Sequence, residues 1–140
     1  MPVRLNNLDA LTPLIATFKI SQTAGVDDLK DADIGKAVTV TAGLTVSPCV
    51  DNSVVVGKLI ALTLTDSDNG KRVASVQIGG VCRFLIAGTA PALNNRILGA
   101  VGGRVKQAPA LAANDPAGGN TARGTVIEVN GASDCVVILN

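Results

Sequence analysis

The sequence predicts an all-β domain, and three observations carry that prediction. Apolar and polar residues alternate with a period of two along several short segments, which is the pattern of strands with one buried face. Asn-Gly and Gly-Gly pairs separate these segments at positions suited to tight turns. The third observation, the length of 140 residues, predicts a single domain. A domain of this size buries roughly 70% of the surface of its unfolded chain.

The first predicted strands lie before residue 66. Residues 37–41 read Ala-Val-Thr-Val-Thr, and residues 59–65 place Ile60, Leu62 and Leu64 together on one face of a strand. The segment that follows contains Asn69-Gly70, a pair that readily adopts the positive φ angles of a tight hairpin turn. We therefore expect a hairpin that joins the strand over residues 59–65 to the next strand.

Residues 72–86 predict one long strand. Gly79-Gly80 lies in its middle, and we interpret this pair as a bend or bulge rather than a turn. Alternation in the second half separates a buried side from a less buried side that Arg83 marks. The buried side holds Cys82, Phe84 and Ile86, and the other side holds Val81, Arg83 and Leu85.

Four further segments complete the predicted sheet structure. Residues 96–101 and 104–106 form a weaker hairpin around Gly102-Gly103, and residues 107–120 form a long irregular loop. The last two strands, residues 122–129 and 134–139, are joined by a turn at Asn130-Gly131. Because residues 135–139 are apolar on both faces, this last strand is expected to be central or to lie in a subunit interface.

The first thirty residues predict an extended apolar arm. Their large side chains recur every three or four residues, but Pro13 interrupts any helix. Such an arm either packs on its own barrel, as an edge strand or cover, or lies across a partner. We therefore divide the chain into an arm, residues 1–30, and a β domain, residues 31–140. The candidate partner contacts in the arm are Leu5, Leu8, Leu11, Leu14, Ile15 and Phe18.

Composition argues against an enzyme. The chain has no His, no Trp and no Tyr, and Glu128 is its only glutamate. It therefore lacks the usual group that titrates near neutrality and the usual aromatic faces for stacking sugars or bases. Cys49, Cys82 and Cys135 have no His to generate a thiolate, so we interpret them as small buried hydrophobes, and Ser47 as part of a turn entering a strand. We expect no catalytic residue.

The candidate metal and nucleotide motifs are incomplete. Residues 66–70 resemble the opening of a calcium loop, but Lys71 and Gln77 stand where that loop needs Gly and Glu, which indicates a solvated turn. The acidic run at 27–33 could hold a hard cation, yet it contains Lys30 and is typical of a solvated turn. The Gly-rich segment 99–103 lacks the Lys-Ser/Thr of a phosphate loop. We predict no metal and no cofactor.

Low charge predicts contacts between subunits. Charged residues make up 16% of the chain, against roughly 25% in typical soluble domains, and the mean hydropathy is +0.40. Interruptions in every apolar run argue against a membrane span, which needs about 18 consecutive apolar residues. The start of the chain lacks the pattern of a targeting signal. A net charge of +1 without a basic run argues against nucleic-acid binding.

Four segments resemble the small capsid decoration, or cement, proteins of tailed bacteriophages. They are residues 31–38 (DADIGKAV), 76–81 (VQIGGV), 123–129 (RGTVIEV) and 136–139 (VVIL), and the resemblance extends over residues 31–140. It implies a compact β-barrel or β-sandwich, commonly trimeric, that docks on the outer face of the major capsid shell and stiffens it against internal DNA pressure. It implies no active-site residue.

The expectation is therefore a structural virion protein made in the bacterial host cytoplasm and located on the outer capsid surface. Its expected partners are the major capsid protein, which the six arm side chains named above are candidates to contact, and two further copies of itself in a homotrimer, with no nucleic acid, membrane or small-molecule substrate. One alternative is a receptor- or carbohydrate-binding head or fibre module of a phage, which an exposed aromatic cluster would favour, but Phe18 and Phe84 are the only aromatic residues. A second alternative is an unusual enzyme that uses Cys or Asp.

Overall fold

The computed structural model describes residues 13–63, 72–110 and 122–139, and its regular structure is nearly all β. The strands are β1 (Leu14–Ile20), β2 (Gln22–Thr23), β3 (Val26–Asp27), β4 (Ala37–Ala42), β5 (Thr45–Pro48), β6 (Gly57–Leu62), β7 (Val73–Leu85), β8 (Ile97–Ala100), β9 (Arg104–Gln107), β10 (Thr125–Asn130) and β11 (Asp134–Leu139). A short 3-10 helix, Asp31–Asp33, lies between β3 and β4. The predicted all-β class is confirmed.

Five strands close into a β-barrel. They are neighbours in the order β1, β5, β4, β6, β7, and the pairing of β1 with β7 completes the ring. All of these pairs are antiparallel except β1 with β5. Those two strands run parallel, and there Lys19 pairs with Thr45 and Ile20 pairs with Val46. The expectation of a compact barrel is therefore met. Closing the sheet also removes exposed strand edges, which otherwise invite aggregation.

β7 is a single strand of 13 residues, as the sequence predicts, and it belongs to two layers. Its first half pairs with β1 and β6 in the barrel, and its second half pairs with β11. β11 pairs in turn with β10, so β11 is central within its sheet, which confirms the prediction for residues 135–139. The β8–β9 hairpin adjoins this second layer through bridges between Ile86 and Val105 and between Ile97 and Arg123.

Each layer has its own hydrophobic core. The barrel core contains Leu29, Val38, Val46, Leu59 and Val76. The second core is built around Phe84, Ile97, Val105, Val126 and Val137. β4 lies between them, because Ala37 belongs to the second core and its neighbour Val38 to the barrel core. The start of β4 is therefore buried on both faces, instead of having the wetter face that its alternation predicts.

The predicted faces of β6 are wrong. The pairing of β6 with β7 shifts between Leu59 and Ala61, so Ile60 sits in a bulge. A bulge inserts one extra residue and reverses the alternation beyond it. As a result Leu59 and Leu62 pack in the barrel core, while Ile60 is not part of that cluster. The hairpin to β7 is confirmed by the pairing of Leu62 with Ala74; residues 64–71 themselves lie outside the described residues.

For residues 14–20 of the predicted arm, the structure shows the first of the two alternatives, packing on its own barrel. Residues 14–20 form β1, which is hydrogen-bonded to β5 on one side and to β7 on the other. They are therefore an integral strand of the barrel, because a strand paired along both edges cannot leave the barrel without breaking both ladders. Residues 1–12 lie outside the described residues.

Side chains from two elements stabilise the bend in β7. The Gln77 amide donates to the carbonyls of Gly79 at 3.1 Å and Val81 at 3.2 Å. The Arg123 guanidinium donates to the carbonyls of Ile78, Val55 and Val56. These bonds satisfy carbonyls in the region where β7 passes from one layer to the other, and buried carbonyls need such partners.

Candidate binding surface

The six residues proposed as partner contacts divide into three groups. Leu5, Leu8 and Leu11 lie outside the described residues. Leu14 and Ile15, at the start of β1, are 61% and 50% exposed. Phe18 is partly buried and packs against the barrel core, so it contributes to the fold.

A second apolar surface lies on a different part of the molecule, which we call the Leu85 groove. It is formed by Ile34 after the 3-10 helix, Leu85 at the end of β7 and Val101 in the β8–β9 turn, which are 47%, 51% and 67% exposed. Two adjoining concavities of about 270 and 340 Å³ make up the groove, and they share Leu85 and Lys36. Exposed apolar side chains from three separate elements thus surround one depression.

The charged lining of the Leu85 groove is entirely basic. Among the described residues, its charged lining side chains are Lys36, Lys58, Arg83 and Arg104. Arg83 Nη1 lies 2.7 Å from the Asp134 carboxylate and Arg83 Nη2 lies 3.7 Å from Glu128. Lys36 Nζ lies 2.7 Å from Asp33. The groove therefore combines exposed apolar side chains with basic side chains, of which Lys36 and Arg83 are ion-paired within the subunit.

The backbone beneath the groove is fixed by hydrogen bonds. The Ala37 N–H donates to the Gly103 carbonyl at 2.8 Å, and the Gly103 N–H donates to Cys49 at 3.0 Å. The Gly35 N–H donates to Leu59 at 2.7 Å. Gly103 has φ of +73°, and a Cβ there would come within 2.8 Å of Lys36 Cβ, so glycine is required on both counts. The groove is consequently formed before any partner arrives.

A larger concavity of about 570 Å³ lies at one mouth of the barrel. Its charged lining residues are Lys19, Asp27 and Arg72, and the last two are engaged within the subunit. Asp27 accepts a hydrogen bond from Gln22 at 2.8 Å, while Arg72 donates to Asp31 and to the Thr63 carbonyl, each at 2.6 Å. These hydrogen bonds hold Asp27 and Arg72 against their own subunit.

The acidic run at 27–33 does not form a metal site in the structure. Each of its carboxylates has a different partner. Asp27 accepts a hydrogen bond from Gln22, and Asp31 accepts one from Arg72. Asp28 accepts from the hydroxyls of Ser21 and Thr23, and Asp33 accepts from Lys36. Those two hydroxyls lower the pKa of Asp28. Across the described ranges, no group of three or more Cys, Asp or Glu side chains could hold a metal ion.

The three cysteines are buried, as predicted, and all three are free thiols. Burial raises the pKa of Cys49 to about 11 and that of Cys135 to about 12. A nucleophilic cysteine needs the opposite shift, because the thiolate is the reactive form. These thiols therefore act as small core side chains: all three belong to the core of the second layer.

Sequence reasoning missed the Leu85 groove, although one part of it had a signal. The alternation of β7 correctly assigned Leu85 and Arg83 to its less buried side. Ile34 and Val101 flank turn glycines, and nothing in the linear pattern indicates that these two turns meet at the end of β7. Their convergence depends on contacts between residues far apart in the chain.

Comparison of the chain with models of protein families, with curated proteins and with solved structures found no match. None of the described segments forms a helix with the length and apolar character needed to cross a bilayer.

Proposed function

We propose that this chain is a capsid decoration subunit, a structural virion protein that binds the outer surface of the major capsid shell as a homotrimer and stabilises it. The resemblance of residues 31–140 to cement proteins motivates this proposal. A compact β-barrel is consistent with that resemblance. Buried, protonated thiols and paired carboxylates also fit a structural role better than a catalytic one.

The observation that supports the proposal most directly is the exposure of apolar side chains on a rigid frame. Exposed Leu, Ile and Val residues occur on the strands and turns of the described surface, although charged residues are scarce. Large exposed apolar patches usually mark contact sites with other macromolecules. A shell-binding subunit would cover such patches against its neighbours and against the shell.

The direct test is binding to shells. The purified full chain would be mixed with mature capsids that lack it, taken from the phage that carries its gene, and the particles would be pelleted. We expect saturable co-sedimentation and a higher temperature of shell disruption. A soluble β-protein of similar mass serves as the control. Pelleting no greater than that control would contradict the proposal, and binding to host cells instead would favour the receptor-binding alternative.

The arm residues can be tested within the full chain. Replacing Leu5, Leu8 and Leu11 together by Ser removes apolar surface without deleting β1. If these residues contact the shell, the dissociation constant should rise at least tenfold, because each large side chain is worth about 1.5–3 kcal/mol when fully buried. The exposed Leu44, changed to Ser, is the matched control. Equal binding of both variants would remove these leucines from the contact surface.

A further inference from the structure

We infer that an unpaired stretch of β1 binds residues 3–11 of a neighbouring copy as an added strand, so that the N-terminal segments are exchanged around the homotrimer. This inference rests on the homotrimer of the proposed function, and it identifies the contact that joins the subunits. The receiving surface is the outer side of β1 over residues 14–17, which we call the β1 edge.

The two pairings of β1 differ in length. β1 pairs with β7 from Leu14 to Lys19, but it pairs with β5 at Lys19 and Ile20 alone. Closing a barrel removes strand edges only where neighbouring strands overlap. On the side opposite β7, residues 14–17 therefore have no partner strand among the described residues.

The β1 edge presents backbone groups to its open side. The N–H groups of Lys19 and Ser21 donate to carbonyls of β5 and of the turn before it, at 2.7 and 2.9 Å. Backbone groups alternate in direction along a strand, so those of Ile15 and Thr17 point to this same side. Two N–H and two C=O groups are thus placed to pair with an added strand.

The side chains of the β1 edge favour strand addition. Natural sheet edges often carry charged residues or proline that block it, whereas residues 14–17 read Leu-Ile-Ala-Thr. Leu14 and Ile15 are 61% and 50% exposed, and Leu44, whose carbonyl accepts from the Lys19 N–H, is 69% exposed. A strand that carries leucines would cover these apolar side chains.

The residues that precede β1 are suited to this role in a neighbouring copy. Pro13 directly precedes β1, and proline is disfavoured at the third position of a common tight turn, which argues against a reversal at Thr12-Pro13 onto the same β1. Extended residues 3–12 would span about 33 Å, close to the width of a domain of this size. They can therefore reach the next subunit, and Leu5, Leu8 and Leu11 supply apolar side chains.

Symmetry favours this occupant over a second β1 edge. Two β1 edges in contact would form an isologous interface, which joins two copies about a two-fold axis. A ring of three needs a heterologous contact, in which one surface of each subunit meets a different surface of the next. The N-terminal segment and the β1 edge are two such different surfaces.

Disulfide trapping in the full chain tests the pairing. Thr17→Cys would be combined in turn with Leu5→Cys, Leu8→Cys and Leu11→Cys, since neighbouring side chains on paired strands lie within disulfide reach. The three natural thiols are buried and provide little background. Under mild oxidation, at least one combination should give covalent dimers and trimers on a non-reducing gel, and each single-cysteine variant should remain monomeric on that gel.

Three results of the trapping would overturn the inference. A covalent monomer with an internal disulfide would show that the segment covers its own barrel. Covalent dimers of Thr17→Cys alone would show contact between two β1 edges. The third is the absence of a cross-link in every combination.

A proline substitution tests the hydrogen bonds of the β1 edge. Thr17→Pro removes an N–H that points to the open side, so the ladder to β7 keeps its bonds. We expect the dissociation constant of the trimer, measured by light scattering, to rise at least tenfold, with an unchanged circular dichroism spectrum. Thr17→Val keeps this N–H and is the matched control. Equal association of the two variants would contradict the pairing.

These measurements contain no shells, so they separate the two proposals. If the exchanged trimer forms but the chain does not pellet with capsids, shell binding fails and the inference stands. If the chain pellets with capsids but the segment cross-links only within its own subunit, the inference fails and shell binding stands. A wild-type monomer at every concentration would contradict both the homotrimer and the exchange.

Discussion

Arg123 connects the two layers of the molecule at the scale of a single side chain. Its guanidinium donates to carbonyls of Val55 and Val56 before β6 and of Ile78 in β7, while its backbone bonds to Ile97 in β8. Burial lowers the pKa of Arg123, but arginine remains charged at any pH at which proteins are folded. The residue therefore supplies charge-assisted donors to three backbone carbonyls from two segments of the chain.

Replacing Arg123 by Met should destabilise the fold by about 2–3 kcal/mol, because three partly buried carbonyls lose a charged donor while most of the side-chain volume remains. Urea unfolding followed by far-ultraviolet circular dichroism measures this, since the chain has no Trp for fluorescence. Arg104→Met, an exposed arginine, should stay within about 0.5 kcal/mol of the wild type. Equal stability of the two variants would show that the Arg123 bonds contribute nothing.

The pKa of Asp33 gives a prediction for acid stability. Partial burial raises this pKa, but hydrogen bonds from Lys36 and the Lys30 backbone, with the charges of both lysines, lower it by more, so it lies below its ordinary value of 3.8. A carboxylate with a lowered folded pKa stabilises the fold above its unfolded pKa, and that stabilisation disappears as pH falls through the folded pKa.

Protonation of Asp33 should lower the free energy of unfolding of the wild type at pH 3 relative to pH 6. Asp33→Asn should therefore show a smaller decrease between these two pH values. The decrease in the variant should be smaller than that in the wild type by at most about 1 kcal/mol, because the ion pair is partly exposed to solvent. Lys36→Met should lose a similar part, since it removes the main partner of the carboxylate. Urea midpoints at the two pH values test this. An unchanged acid dependence in both variants would contradict the assignment.

At the scale of elements, the bend in β7 determines how the two layers are arranged. Gly80 there has φ of +88°, and the amide of the buried Gln77 bonds to carbonyls on both sides of it. The strand can therefore change direction without leaving those carbonyls unpaired. A strand without this internal support would have to end near Gly79.

Gln77→Leu keeps the volume of the side chain but removes both donated bonds. We expect a loss of about 1–3 kcal/mol in the free energy of unfolding, because the carbonyls of Gly79 and Val81 lose their partner. The exposed Gln22, changed to Leu, is the control and should shift stability by less than about 0.5 kcal/mol. Circular dichroism in urea measures both. A Gln77→Leu protein as stable as its control would show that the bend needs no such support.

Local patterns predicted some elements and missed others. The β8–β9 hairpin, the β10–β11 hairpin and the long β7 follow from glycine pairs and alternation, and the structure contains all three. The parallel contact of β1 with β5 could not be predicted, because it joins distant segments and β1 lacks a clear period of two. The bulge at Ile60 could not be predicted either, because the residues around it are of types that fit an unbroken strand.

The same limit applies to the binding surface. Leu14 and Ile15 were identified from the sequence and are exposed, whereas Phe18, identified by the same spacing, faces the barrel core. Sequence spacing alone cannot tell which of these three side chains faces the core, because the pairing of β1 with β7 decides which face of β1 points inward. The Leu85 groove depends on two turns meeting the end of β7 in space, which no local signal reports.

At the scale of the whole molecule, the low charge and exposed apolar side chains bear on assembly. The proposed homotrimer predicts a mass near three times 14.1 kDa by light scattering at micromolar concentration. Leu14 and Ile15 are exposed and so are available for subunit contacts. Ile15→Asp should then shift the mass toward the monomer, while Leu44→Asp should not. A wild-type monomer at every concentration would exclude the trimer.

The shared strand β7 also has a mechanical consequence. Its ladders to β1 and β11 hold it at opposite ends of its length, and the hydrogen bonds of antiparallel ladders run across the strand direction. Tension applied along β7 would load these bonds together in shear, so they could not open one after another as in a zipper. A shell that swells under pressure would therefore pull on this subunit in its stiffest direction if it gripped both ends of that strand.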